Sequence, residues 1–124
     1  MERNHTPYPH TYLDEMKDLS DEEYGALCKA MFTYSVTGKP IEKKDLPGKA
    51  GMYAERVMTD QDKFKAMYNA IDELDLDEAH EFETEDAASN YIVYGILPPS
   101  IDENLDYVLS KIQQSATREE VGRR

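Results

Sequence analysis

The chain has no tryptophan, a single cysteine and six glycines in 124 residues, and over the 45 positions from Ala66 to Ser110 it has no lysine or arginine. Each absence excludes something. One cysteine, Cys28, rules out an internal disulfide framework and fits a reducing compartment. No apolar run approaches the ~20 residues of a membrane span, and the opening "MERNHTPYPH" has no signal-peptide core, so the expected location is the cytosol. The missing cations are the most informative gap. Between Ala66 and Ser110 stand twelve Asp or Glu, while the other fourteen acids of the chain are matched by its fourteen bases. The whole net charge of −12 therefore belongs to that window. A field of this sign repels nucleic acid and membrane surfaces and steers toward basic protein surfaces.

With 40% hydrophobic residues, the length suits one modest core and a single domain over residues 1–124. Residues 1–10, with Pro7 and Pro9, read as an irregular arm, and "TYLDEMKDL" offers Tyr12, Leu13, Met16 and Leu19 at helical spacing. Ser20 and Glu23 form a capping box, Leu19 and Tyr24 occupy the staple positions, and Gly38 with Pro40 makes a stop. These signals predict a helix from about Asp21 to Val36, with Tyr24, Leu27, Cys28, Met31, Phe32 and Ser35 as its inward stripe. Tyr53, Val57, Phe64, Met67, Ile71 and Leu74 predict one long helix, or two end to end with a fresh start at Thr59 or Asp62, over residues 48–75.

Residues 76–115 form the acidic part. "EFETEDAASNYIVYGIL" is compatible with a helix capped by Thr84, or with a short β-hairpin around residues 80–97 built on its Tyr, Ile and Val. Ser100 with Glu103 suggests a second capping box before a final helix at about 101–115, and residues 116–124 read as a flexible tail. The expected fold class is mainly α, a small helical domain, with an α+β variant if the hairpin forms.

Within "IDELDLDEAHEFETED" nine of sixteen residues are acidic. An EF-hand would need a glycine at the sixth position counted from Asp75, and His80 stands there. Cys28, His5, His10 and His80 have no zinc-ligand spacing. His80 is expected to be an exposed side chain whose pKa its acidic neighbours raise. No G-x-S-x-G, P-loop or G-x-G-x-x-G motif is present. The residues therefore point to no catalytic group, no metal and no cofactor. What remains is an anionic binding surface of Asp72, Asp75, Asp77, Glu78, Glu81, Glu83, Glu85 and Asp86, with Tyr91 and Tyr94 as amphipathic contacts. In a strand Glu81, Glu83 and Glu85 would share a face; on a helix Glu78, Glu81 and Glu85 would align.

At "YLDEMKDLSDEEYGALCKAMFTYSVTGKP", followed by "DQDKFKAMY", the chain resembles an uncharacterised helical domain found at the N-terminus of many phage and integrative-element proteins. Leu19, Ser20, Asp21, Glu22, Glu23, Gly25, Tyr34, Gly38, Pro40, Asp60, Asp62 and Tyr68 carry the likeness, which covers residues 12–68. Family members commonly continue into basic or replication-associated regions, whereas this chain turns acidic. The resemblance implies a mobile-element origin and brings no catalytic residues. In type rather than sequence, the chain also resembles small acidic phage proteins that inhibit host defence, including anti-CRISPR proteins that mimic nucleic acid. The expected partner is a basic host protein of the bacterial cytosol, a nuclease with a nucleic-acid-binding groove, with no direct contact to nucleic acid or membrane. The competing expectation is a non-catalytic helical adaptor in phage replication or regulation.

Overall fold

The computed structural model describes residues 6–122, with side chains described from residue 6 to residue 115. Among these residues there are five α-helices and no strand: α1 (Tyr12–Glu15), α2 (Asp21–Thr37), α3 (Ala54–Leu74), α4 (Glu78–Tyr94) and α5 (Glu103–Gly122), with 3₁₀ turns at Lys43–Asp45 and Ala50–Tyr53. The fold is mainly α. The described residues divide into two compact units, residues 6–61 and 62–122.

The first unit is built on the capping box read from sequence. Ser20 Oγ accepts from the Glu23 N–H at 3.1 Å, and the Ser20 N–H donates to Glu23 Oε1 at 2.8 Å. Two backbone donors at the start of α2 are thereby satisfied reciprocally. Glu23 reaches further, taking the Lys49 N–H on Oε2. These backbone donors at Ser20 and Lys49 hold its carboxyl below the usual range. Next to it Gly48 sits at φ +50, and a β-carbon there would run into Glu23 Oε2, so glycine suits both the backbone and the space. Leu27 and Met31 of α2 are buried with Tyr12, Met16, Ile41, Ala50, Ala54, Val57 and Met58.

Several sequence expectations shift. Only Tyr12–Glu15 of the predicted two-turn helix is helical, and Leu13 is exposed. Phe32, expected on the inward stripe, is also exposed. It lies about 100° around the helix from Met31, outside the arc that Leu27 and Met31 bury. Cys28 is half-buried beside Tyr8, and burial pushes its thiol above the ordinary value, so it packs rather than reacts. Residues 6–9 have no regular structure and His10 lies in a turn; residues 1–5 of the predicted arm lie outside the described residues.

The polar feature of this unit is a cluster under α3. Tyr12 is buried and donates its hydroxyl to Asp60 Oδ2 at 2.5 Å. Arg56 pairs with Glu15 and Asp60 and places its guanidinium 5.5 Å from the centre of the Tyr12 ring. Gln61, also buried, donates to the Pro7 carbonyl at 2.7 Å. Burial and the Asp60 charge together raise the Tyr12 phenol far above its ordinary value, so it stays a donor throughout the physiological range.

The second unit buries Phe64, Met67, Ala70 and Ile71 of α3 with Ala88 of α4 and Leu105, Val108, Leu109 and Ile112 of α5. Helix α3 is continuous, so neither Thr59 nor Asp62 starts a new one. Helix α4 replaces the hairpin considered for residues 80–97. Its cap is Asp77 rather than Thr84, which is buried in the middle of the helix. The inward face of α4 carries Thr84 and Ala88, small residues that let α5 approach, so Tyr91, Ile92 and Val93 pack as helix residues and need no strand partner. Asp102, not Ser100, caps α5, accepting the Leu105 N–H at 2.8 Å. Helix α5 runs on to Gly122 through most of the predicted tail; residues 123–124 lie outside the described residues. Helix α5 packs against α4, and the Gln113 amide meets the Tyr91 hydroxyl near the end of α4.

Candidate functional site

Helix α4 begins where Asp77 Oδ1 accepts the His80 N–H at 2.9 Å. The same carboxylate holds His80 Nδ1 at 2.8 Å from each of its oxygens. Glu78 and Glu81 then occupy the first turn, where the helix dipole favours negative charge. Donation from the His80 backbone and ring holds the Asp77 carboxyl below its usual range. The hydrogen bond to Asp77 is the main cause that raises the His80 imidazole, with further help from the charges of Asp77, Glu83 and Asp102. His80 is exposed, as expected from sequence.

The ten residues that the sequence singles out are distributed over three elements. Asp72 lies on α3, half-buried and engaged in an interaction of its own. Asp75 forms the corner between α3 and α4 at φ +50, and Asp77 is committed to the cap. Glu78, Glu81, Glu83, Glu85, Asp86, Tyr91 and Tyr94 all belong to α4. The helix abolishes the alternating ladder of Glu81, Glu83 and Glu85 that a strand would make. Instead Glu78, Glu81 and Glu85 follow one ridge, with steps of about 4.5 and 6 Å along the axis. Glu83 and Asp86 stand exposed on the outer face, while Glu81 and Glu85 are half-buried at its margin. No carboxylate of α4 pairs with a lysine or arginine among the described residues.

The two tyrosines part company. Tyr91 is half-buried against the core of its unit, with the Gln113 amide 3.5 Å from its hydroxyl. Tyr94 is 47% exposed at the end of α4.

Phe82 is absent from the surface that the sequence predicts, yet it is 72% exposed in the middle of the acidic face. Helical numbering contains the signal. At 100° per residue, Phe82 falls well away from the stripe of Thr84, Ala88, Tyr91 and Ile92, and Glu78, Glu85 and Asp86 stand within about one turn of it. Ile96, Leu97 and Ile101 of the connector are exposed as well.

A cleft of about 260 Å³ lies in the second unit, lined by Lys63, Tyr91, Ile92, Gly95, Ile112 and Gln113. None of these residues is a carboxylate or an imidazole. Among the described residues no cluster of three or more His, Cys, Asp or Glu is placed to hold a metal ion, and no helix is long and apolar enough to cross a membrane. Comparison of the chain with protein-family models, with curated proteins and with solved structures gives no match.

Proposed function

We propose that the protein is a non-catalytic binding protein whose α4 surface occupies a basic, nucleic-acid-binding groove of a partner protein. The observation that carries this reading is the uncompensated charge of α4. Its five carboxylates from Glu78 to Asp86 share a helix with no lysine or arginine, and none forms an ion pair with a base among the described residues. A face evolved only for solubility gains from interspersed charges of both signs and from i,i+4 ion pairs, and this helix forgoes both. Rows of carboxylates a few ångströms apart are suited to cationic side chains arranged to hold successive phosphates.

The finer reading names the partner as a nuclease of bacterial defence and the protein as a mobile-element inhibitor of the anti-CRISPR type. It rests on the charge of α4 and on the phage-domain resemblance of residues 12–68. The test is phage plating on a host with an active CRISPR or restriction system. Expression of the wild type should restore plaques. A Glu81→Gln, Glu83→Gln, Glu85→Gln, Asp86→Asn variant, folded by circular dichroism, should not. Restoration by both proteins would remove the acidic face from the mechanism.

The exposed Phe32 and Val36 of α2 favour a second reading, a helical adaptor in phage replication whose partner meets an apolar surface. That reading predicts binding insensitive to salt and no protection of phage.

A further inference from the structure

The outer face of α4 is not simply acidic, because it has an aromatic ring at its centre. Phe82 is 72% exposed, which leaves most of an apolar ring in water on a helix that buries only Thr84 and Ala88 fully. Glu78, Glu85 and Asp86 lie four residues before it and three and four after it, the positions whose side chains meet its own on a helix surface. None of these three carboxylates has a hydrogen bond or ion pair among the described residues. The ring therefore stands in a fence of free negative charge.

Charge decides what can cover it. A second copy of the chain would bring the same carboxylates against one another, and an anionic membrane or a nucleic acid would meet the same repulsion. A purely apolar partner would desolvate the fence without compensating it. A cation that is flat, weakly hydrated and able to bond two carboxylate oxygens at once satisfies ring and fence together, and that cation is a guanidinium. The same chain already builds such a set: the Arg56 guanidinium lies 5.5 Å from the centre of the Tyr12 ring while pairing with Glu15 and Asp60. Phe82 has the ring and the carboxylates but no cation from the described residues.

We infer that the α4 face is a docking surface for an arginine-bearing segment of a protein partner, with one arginine stacked on Phe82 and its nitrogens shared among Glu78, Glu85 and Asp86. This inference rests on the acidic-surface reading above and narrows it, since without the ring only the carboxylates would tell arginine from lysine, and removing the π face would leave that preference unchanged.

The experiment uses fluorescently labelled nona-arginine and nona-lysine, equal in length and charge, titrated against the wild type and Phe82→Leu at low and high salt. Leucine keeps apolar bulk and removes the π face. The wild type should bind nona-arginine more tightly than nona-lysine, and Phe82→Leu should cut that ratio by about two- to fivefold, the range expected for one exposed cation–π contact. Its affinity for nona-lysine and its salt dependence should stay unchanged, and Phe82→Trp should restore the preference. An arginine-to-lysine ratio that is the same in wild type and Phe82→Leu overturns the assignment of Phe82 while leaving the acidic surface standing. Failure of the wild type to bind either peptide at low salt overturns both.

Discussion

The Tyr12 hydroxyl and the Asp60 carboxylate meet at 2.5 Å although 48 positions separate them in sequence. The bond ties the short helix α1 to α3, and it is nearly dry, with Tyr12 only 2% exposed. Tyr12→Phe keeps the ring under Arg56 and removes one donor from Asp60, a change that should cost about 1–3 kcal/mol. Urea unfolding of the two proteins measures it. Because the phenol stays protonated, the loss should be the same at neutral and mildly alkaline pH.

Gly48 and Glu23 form a second coupled pair. Gly48→Ala meets the Glu23 carboxylate and must also hold a side chain at φ +50. In the wild-type background both penalties apply. In a Glu23→Ala background the steric one disappears, and Gly48→Ala should then cost only the roughly 1 kcal/mol of the left-handed backbone. A double-mutant cycle by chemical denaturation gives the difference, and additive effects would mean that the two side chains do not meet.

The Asp77–His80 pair sets a pH window for the start of α4. The folded pKa of Asp77 is lowered, so its contribution is complete above its unfolded value and is lost as pH falls through the folded one. The folded pKa of His80 is raised, so its contribution is complete below its unfolded value and is lost as pH rises through the folded one. The pair should stabilise most between about pH 4 and about pH 6.5. Thermal melts of wild type and His80→Gln across that range should differ most inside the window and converge on its alkaline side.

Phe82 and Met67 separate binding from stability. Met67 is fully buried in the second unit, and Met67→Ala should cost about 2–5 kcal/mol. Phe82→Ala should change unfolding free energy by less than about 0.5 kcal/mol, because the ring is 72% exposed. A larger loss on Phe82→Ala would show that the ring is holding the fold together.

The helices whose ends are marked by local chemistry are legible in the sequence. Ser20 and Glu23 place the start of α2, and Gly38, whose N–H donates to the Tyr34 carbonyl at 2.8 Å, places its end. The spacing of Val57, Phe64, Met67 and Ile71 likewise predicts α3, whose apolar residues serve two cores in turn. Helix α4 is harder, because its apolar residues are crowded at one end and its buried contacts are Thr84 and Ala88, which carry little hydrophobic signal. The resolving residue is Asp77: an Asp before Glu78, with Glu81 one turn later, is N-terminal helix chemistry, but it is hidden in a run crowded with other acids. Asp102 is hidden in a similar way behind Ser100. The acidic surface itself is visible as composition. Composition does not reveal which acids share a face, or that Phe82 stands among them rather than beneath them.

Asp75 carries one more consequence. It holds the corner after α3 at φ +50, a conformation that glycine adopts freely and that costs an ordinary side chain roughly 1 kcal/mol. Aspartate and glycine codons differ by a single base, so Asp75→Gly is always within reach of random mutation. A library of this gene sorted only for thermal resistance should therefore accumulate glycine at position 75. If the same library sorted for partner capture keeps aspartate there, the corner is a place where the molecule gives up stability to retain a charge.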